Sequence, residues 1–179
     1  GENRVQEAAD KIAALDDLRS PGLRWHLVGH LQSNKAKYAV KLFDLIHSVD
    51  SIKLAREIDK QAQKAGKIQN LLVQVNIAEE ATKSGVREDQ TVDLVRAIGR
   101  LENVCLKGLM TMPPYFYQPE KVRPFFAALR ELRDRIRAQT PPNVTLDELS
   151  MGMTGDFEVA IKEGATLVRI GTAIFGERQ

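Results

Sequence analysis

The chain has 179 residues, 43% of them hydrophobic and 28% charged, with a formal net charge of +2, a balance suited to one domain with a sizeable core. Charges alternate in sign in stretches such as RELRDRIR and no long basic block occurs, which argues against nucleic acid as the partner. The single cysteine, Cys105, excludes an internal disulfide framework, and the lack of a long apolar run or signal peptide points to a cytoplasmic protein with no membrane partner.

The chain opens on GENRVQEAADKI, without a methionine and directly at a packing helix, which leads us to expect further sequence upstream. Val5, Ala8, Ala9, Ile12 and Leu15 recur at three- and four-residue spacing and predict a helix over residues 4–18, stopped by Ser20–Gly22. WHLVGHL (25–31) predicts a strand, and NKAKYAVKLF a helix with Asn34 as its N-cap. DLIHSVD (44–50) predicts the next strand. The helix SIKLAREIDKQAQKAG follows, with Ser51 at the N-cap and Gly66 at C′. NLLVQVNI (70–77) predicts a strand and QTVDLVRAIGRL (90–101) a helix. CLKGLMTM (105–112) is a strand ended by Pro113 and Pro114, and RPFFAALRELRDRIRAQ (123–139) is a helix that tolerates Pro124 in its first turn. TLDELSM (145–151), DFEVAIKEG (156–164) and LVRIGTAIF (167–175) complete the order as strand, helix and strand.

Strict alternation of strand and helix predicts a parallel sheet with the helices outside. The first strand-to-helix turn, GHLQSNK, carries neither a dinucleotide fingerprint nor a P-loop, which disfavours an open doubly wound sheet. Short strands of similar length favour a β/α barrel. About six strands are evident against the eight of a full TIM-type barrel, so the expected fold is an α/β barrel short of about its first unit and most of its second strand. Residues 1–179 are taken as a single domain.

In such barrels function sits at the carboxyl ends of the strands. Two adjoining loops there, SMGMTGD and RIGT, combine glycines with the hydroxyls of Thr154 and Thr172. Each alone is ordinary turn chemistry; together they suggest a phosphate cradle. Arg169 lies two residues before Gly171 on the last strand. Alternation sets Leu167, Arg169 and Gly171 on one face and Val168 and Ile170 on the other. Arg169 would then point inward and require a carboxylate, a carbonyl or a ligand, and a salt bridge to Glu148 or Asp50 stands as the structural alternative. Other residues argue less. His26 and His30 share one side of a strand, a spacing that does not converge on one metal. Cys105 begins a strand, and the adjacent Asp147 and Glu148 point to opposite faces. Lys35, Lys83 and Lys107 could form an imine by their chemistry, but nothing in the sequence marks them as more than surface or loop charges.

The motifs GENRVQE, WHLVGHLQSNK, HSVDS, VQVNIAEEATKSGV, GLMTM, LSMGMTGDFEVAI and VRIGTAIFG, in order along the whole chain, resemble the YggS/PROSC family of pyridoxal phosphate homeostasis proteins. The resemblance implies a barrel like the N-terminal domain of alanine racemase, a fold-type III pyridoxal-phosphate enzyme. It implies that Thr154, where the family usually has serine, binds the cofactor phosphate with Gly171 and Thr172. It implies that Arg169 faces the pyridine nitrogen and keeps it unprotonated, and that Asn3 and Met151 line the ring. The family's imine-forming lysine lies upstream of GEN in a VSK-like motif, a segment these 179 residues do not contain. The chain is therefore expected to be of low stability, or to hold the cofactor only non-covalently through its phosphate. The implied function is that of a non-catalytic, monomeric carrier that buffers pyridoxal 5′-phosphate and passes it to apo-enzymes. The alternative is a racemase-like fold-type III enzyme. A third reading, docking of a partner on the PPYFYQP loop, stays open.

Overall fold

The computed structural model describes residues 1–15, 22–80, 83–138 and 143–176. Helix α1 (Val5–Ala14) leads into β1 (His26–Leu27), α2 (Ala36–Leu42), β2 (Leu45–Val49), α3 (Ile52–Lys64) and β3 (Gln69–Asn76). Then come β4 (Val86–Arg87), α4 (Glu88–Ile98), β5 (Val104–Met110), α5 (Arg123–Arg137), β6 (Val144–Met153), α6 (Phe157–Lys162), β7 (Leu167–Arg169) and α7 (Thr172–Phe175). The seven-stranded sheet has the order β1-β2-β3-β5-β6-β7, with β4 pairing β3 off this path. Every pairing between its strands is parallel.

The order never reverses. Each crossover adds the next strand on the same side, which is how a barrel winds and how a doubly wound sheet does not. The two faces of the sheet bury different things. Toward the helices, Ile46, Leu71, Leu109 and Leu149 join a continuous apolar core with Ile58, Leu129 and Val159. On the concave face Leu45, Leu72 and Met110 form a small separate cluster against Leu167. Period-two alternation produces this division, since successive residues of a strand face opposite ways.

Ser51 caps α3 as expected: its Oγ accepts from the Leu54 N–H at 3.4 Å. Gly66 follows the helix with φ of 63°. Ser51→Ala should cost about 1 kcal/mol of stability, checked by urea denaturation; no change would mean that solvent caps the helix equally well.

Several boundaries differ from expectation. β1 is two residues long rather than seven, and Glu2 bridges it on one side, its N–H donating to the His26 carbonyl and its carbonyl accepting from the Val28 N–H, each at 2.8 Å. Asn34 caps nothing: Ser33–Lys35 forms a 3-10 turn leading into α2, with no side-chain cap. The two-residue β4 has too little length to leave a periodic signal. The last expected strand ends at Arg169, and Thr172–Phe175 is helical. Residues 16–18, at the end of the first expected helix, lie outside the described residues.

Candidate functional site

Strand β6 ends at Met153, where the backbone turns sharply. The Met153 N–H donates to Asp156 Oδ1 at 2.6 Å, and the Asp156 N–H donates back to the Met153 carbonyl at 3.1 Å. Gly152 permits the approach: its φ is 91°, and a Cβ there would sit 2.6 Å from Ala160 Cβ. The turn brings the Thr154 hydroxyl to the next loop, where it accepts from the Gly171 N–H at 3.3 Å. Gly171 in turn begins α7, its carbonyl accepting from Ile174 and Phe175 at 2.9 Å each. Thr154, Gly171 and Thr172 thus stand together at the carboxyl end of the sheet. Gly171 and Thr172 are exposed and Thr154 half-buried.

Arg169 lies below them and points into the concave face. Its Nη1 donates to Ser150 Oγ at 2.6 Å and its Nη2 to the Thr111 carbonyl at 2.8 Å. Neither is a carboxylate, so the salt bridge to Glu148 or Asp50 does not form. Arg169 Nε is buried and has no hydrogen-bond partner. Burial pushes the guanidinium down to about 10, the charge of Asp156 opposing it, so the group stays charged at neutral pH. Two of the three guanidinium nitrogens are thus held and the third is not.

Of the two further expected ring-pocket residues, Asn3 is at the carboxyl end of the sheet. Glu2 pairs with Leu27 of β1, and the Asn3 backbone then packs on Gly29, where a Cβ would run into the Asn3 carbonyl. The Asn3 side chain is exposed. Met151 is not brought to this group. It is fully buried in the helix-facing core with Leu149 and Val159, because one residue of alternation separates it from the inward-facing Ser150. Ser150 is the residue of this strand end that stands beside Arg169.

His47 also belongs to this face. Its ring lies on the concave face, 2% exposed. Nδ1 is 2.9 Å from Ser150 Oγ, and Nε2 is 3.1 Å from His26 Nδ1. Burial, with the charges of His26 and Arg169, holds His47 near 3, so it is neutral. The signal available in the sequence was a histidine interrupting the apolar run LIHSV, the same anomaly as Arg169 in LVRIG. His30 is apart from this group, 3.9 Å from Asp50. At the opposite, amino-terminal mouth of the sheet, a cavity of about 380 Å³ is lined by His26, Arg24, Asp44, Asn70, Lys107 and Glu148, among others. It is remote from the glycine-threonine loops. Among the described residues no group of three or more His, Cys, Asp or Glu is placed to hold a metal ion, and no helix is long and apolar enough to cross a membrane.

The family described as alanine racemase, N-terminal domain, matches this chain over residues 1–179. A pyridoxal phosphate homeostasis protein from Aquifex aeolicus is 52% identical over 179 residues, spanning all of this chain and 76% of that relative. Another, from Escherichia coli K12, is 40% identical over 182 residues, 99% of this chain and 75% of the relative. Among solved structures, PipY of Synechococcus elongatus with PLP bound has a TM-score of 0.88 at 41% identity, over 98% of this chain and 80% of that one. An alanine racemase from Clostridium difficile in complex with cycloserine has a TM-score of 0.73 at 16% identity, over 98% of this chain and 46% of that one, a likeness of fold alone.

Proposed function

Because this chain belongs to the YggS/PROSC family of pyridoxal phosphate homeostasis proteins, built on the alanine racemase N-terminal domain, we propose that it binds pyridoxal 5′-phosphate at the carboxyl end of its sheet and acts as a carrier of that cofactor. The observation that carries this reading is the buried, unpartnered Nε–H of Arg169 beneath two adjoining loops of glycine and threonine. The residues fit the group. A guanidinium donates and never accepts, so an unpaired N–H calls for a lone pair, which an unprotonated pyridine nitrogen has. The Thr154 and Thr172 hydroxyls and the backbone N–H groups around Gly171 offer donors for a phosphate. Asn3 sits at the rim, where its exposed side chain can close over a bound ring. Bound pyridoxal 5′-phosphate would supply an electrophilic aldehyde and a conjugated ring. A cation held against the ring nitrogen opposes its protonation and so weakens the ring as an electron sink. That suits storage better than turnover.

The carrier reading also fits the placement of the tyrosines. A racemase needs a second acid/base opposite the first, and Tyr115 and Tyr117 are 82% and 93% exposed while Tyr38 is on α2 at 52%. On this reading the chain works as a monomer, its partners are apo-enzymes that receive the cofactor, and no amino acid is turned over. Amino acids incubated with the loaded chain in deuterated buffer should keep their α-protons; exchange above a cofactor-only control would favour the racemase-like alternative.

Two ligands test the cradle. Thr154→Ala should weaken pyridoxal 5′-phosphate about tenfold and leave pyridoxal, which lacks the phosphate, unchanged in an absorbance titration. Equal losses for both would move the phosphate away from this loop.

A further inference from the structure

The polar atoms on the concave face form one continuous line: Arg169 Nη1 to Ser150 Oγ at 2.6 Å, Ser150 Oγ to His47 Nδ1 at 2.9 Å, His47 Nε2 to His26 Nδ1 at 3.1 Å. It crosses the sheet from β7 through β6 and β2 to β1, between residues far apart in sequence. Only one direction of donation satisfies all of it. Arg169 can only donate, so Ser150 Oγ accepts from it. Ser150 is fully buried, and its own proton needs an acceptor. His47 Nδ1 provides one if His47 carries its proton on Nε2. That Nε2–H then donates to His26 Nδ1, and the His26 proton sits on its Nε2, on a ring that lines the amino-terminal cavity beside Asp44 and Glu148. In the reverse arrangement His47 Nδ1–H would donate to Ser150 Oγ, leaving the buried serine proton without a partner at a cost of about 1–3 kcal/mol.

We propose that His47 is a positioning residue for the ring-nitrogen site, acting through Ser150: its Nδ1 lone pair orients the serine hydroxyl, and the oriented hydroxyl holds the Arg169 guanidinium so that Nε–H stays free for a ligand. The proposal rests on the cofactor-binding reading for the identity of that ligand, although the chain of hydrogen bonds stands in the protein alone. It assigns a function to a buried histidine whose link to the Ser150–Asp156 segment is the Ser150 hydroxyl, at 2.9 Å. It also explains the polar layer of the concave face, where apolar residues would have packed at lower cost. His26 is the anchor at the far end, its backbone held by the Glu2 N–H at 2.8 Å.

Two measurements decide it. Nitrogen-15 NMR on the unloaded chain should find His47 and His26 neutral at pH 7 and both in the Nε2–H form; an Nδ1–H form of His47 would overturn the proposal. The second compares His47→Asn, whose side-chain oxygen can keep an acceptor near the Nδ1 position, with His47→Leu, which removes it. His47→Leu should speed rotation of the Arg169 guanidinium, read from its Nη resonances, and weaken pyridoxal 5′-phosphate by about 3- to 10-fold. His47→Asn should restore slow rotation and bring affinity to within about twofold of the unmodified chain. Equal effects of the two variants would reduce His47 to packing. If the unmodified chain does not bind pyridoxal 5′-phosphate, the cofactor reading falls, and the tautomer and rotation readings still judge the relay. If His47→Leu does not fold, the tautomer of the unmodified chain and the rotation rate in His47→Asn decide alone.

Discussion

Arg169→Leu is expected to lower affinity for pyridoxal 5′-phosphate by about 10- to 100-fold, the range for losing a hydrogen bond from a charged donor, while changing the stability of the unloaded chain by only about 1 kcal/mol. The separation of the two effects follows from the surroundings of the side chain. Burial opposes the charge and lowers the guanidinium to about 10, so the protein gives up stability to keep a cation there. Removing it relieves that cost and at the same time strands Ser150 Oγ and the Thr111 carbonyl, and the two changes offset. A ligand that uses Nε gains no such relief and loses its partner outright. Arg169→Lys should recover little: one ammonium cannot span Ser150 and Thr111 and still present a third donor. Fluorescence titration together with a melting curve checks both halves. Unchanged affinity with a marked fall in stability would make Arg169 a structural tie between β5, β6 and β7.

Winding and site differed in how openly the sequence carried them. Alternating strand and helix patterns, with no glycine-rich first turn, pointed to a barrel-like sheet, and the sequential strand order follows from that alternation. The face of Arg169 was also visible, because in LVRIG a single charge interrupts an apolar run and alternation settles where it points. Its partners were not. Ser150 and Thr111 lie 19 and 58 residues away, and only the register between strands brings them together. Met151 shows the opposite failure. Its motif matches the family, but motif membership does not say which way a side chain faces, and β6 turns it to the helices. His47 was missed because a histidine within LIHSV looks like a tolerated core residue until β6 and β1 supply partners on either side. The change from strand to helix after Arg169 was hidden for a local reason: TAIF reads as β-prone by composition, while Gly171 breaks the strand and lets a short helix start.

Acid should unfold this chain through His47 more than through any surface group. In the folded chain the imidazole is held near 3 by burial, by His26 and by the Arg169 charge, against 6.5 when exposed. Above pH 6.5 it is neutral in both states and has no effect on the balance. As pH falls below that, the unfolded chain takes up a proton that the folded chain refuses, and stability drops until the folded group itself titrates near 3. The loss from this one residue is about 2 kcal/mol by pH 5 and about 5 kcal/mol across the whole window. His26 shifts the same way through burial, with Asp44 and Glu148 working against it, so it adds to the slope. Protonation at either ring also breaks the relay, since an imidazolium accepts nothing: His47 could no longer take the Ser150 proton, nor His26 the His47 proton. Denaturant unfolding at pH 7 and pH 5 measures the effect against His47→Asn, which has no group to titrate there. The unmodified chain should lose about 2 kcal/mol more than the variant over that interval. Parallel losses would place His47 in contact with water or with an anion that lets it charge, and the line from His26 to Arg169 would then be open at its centre.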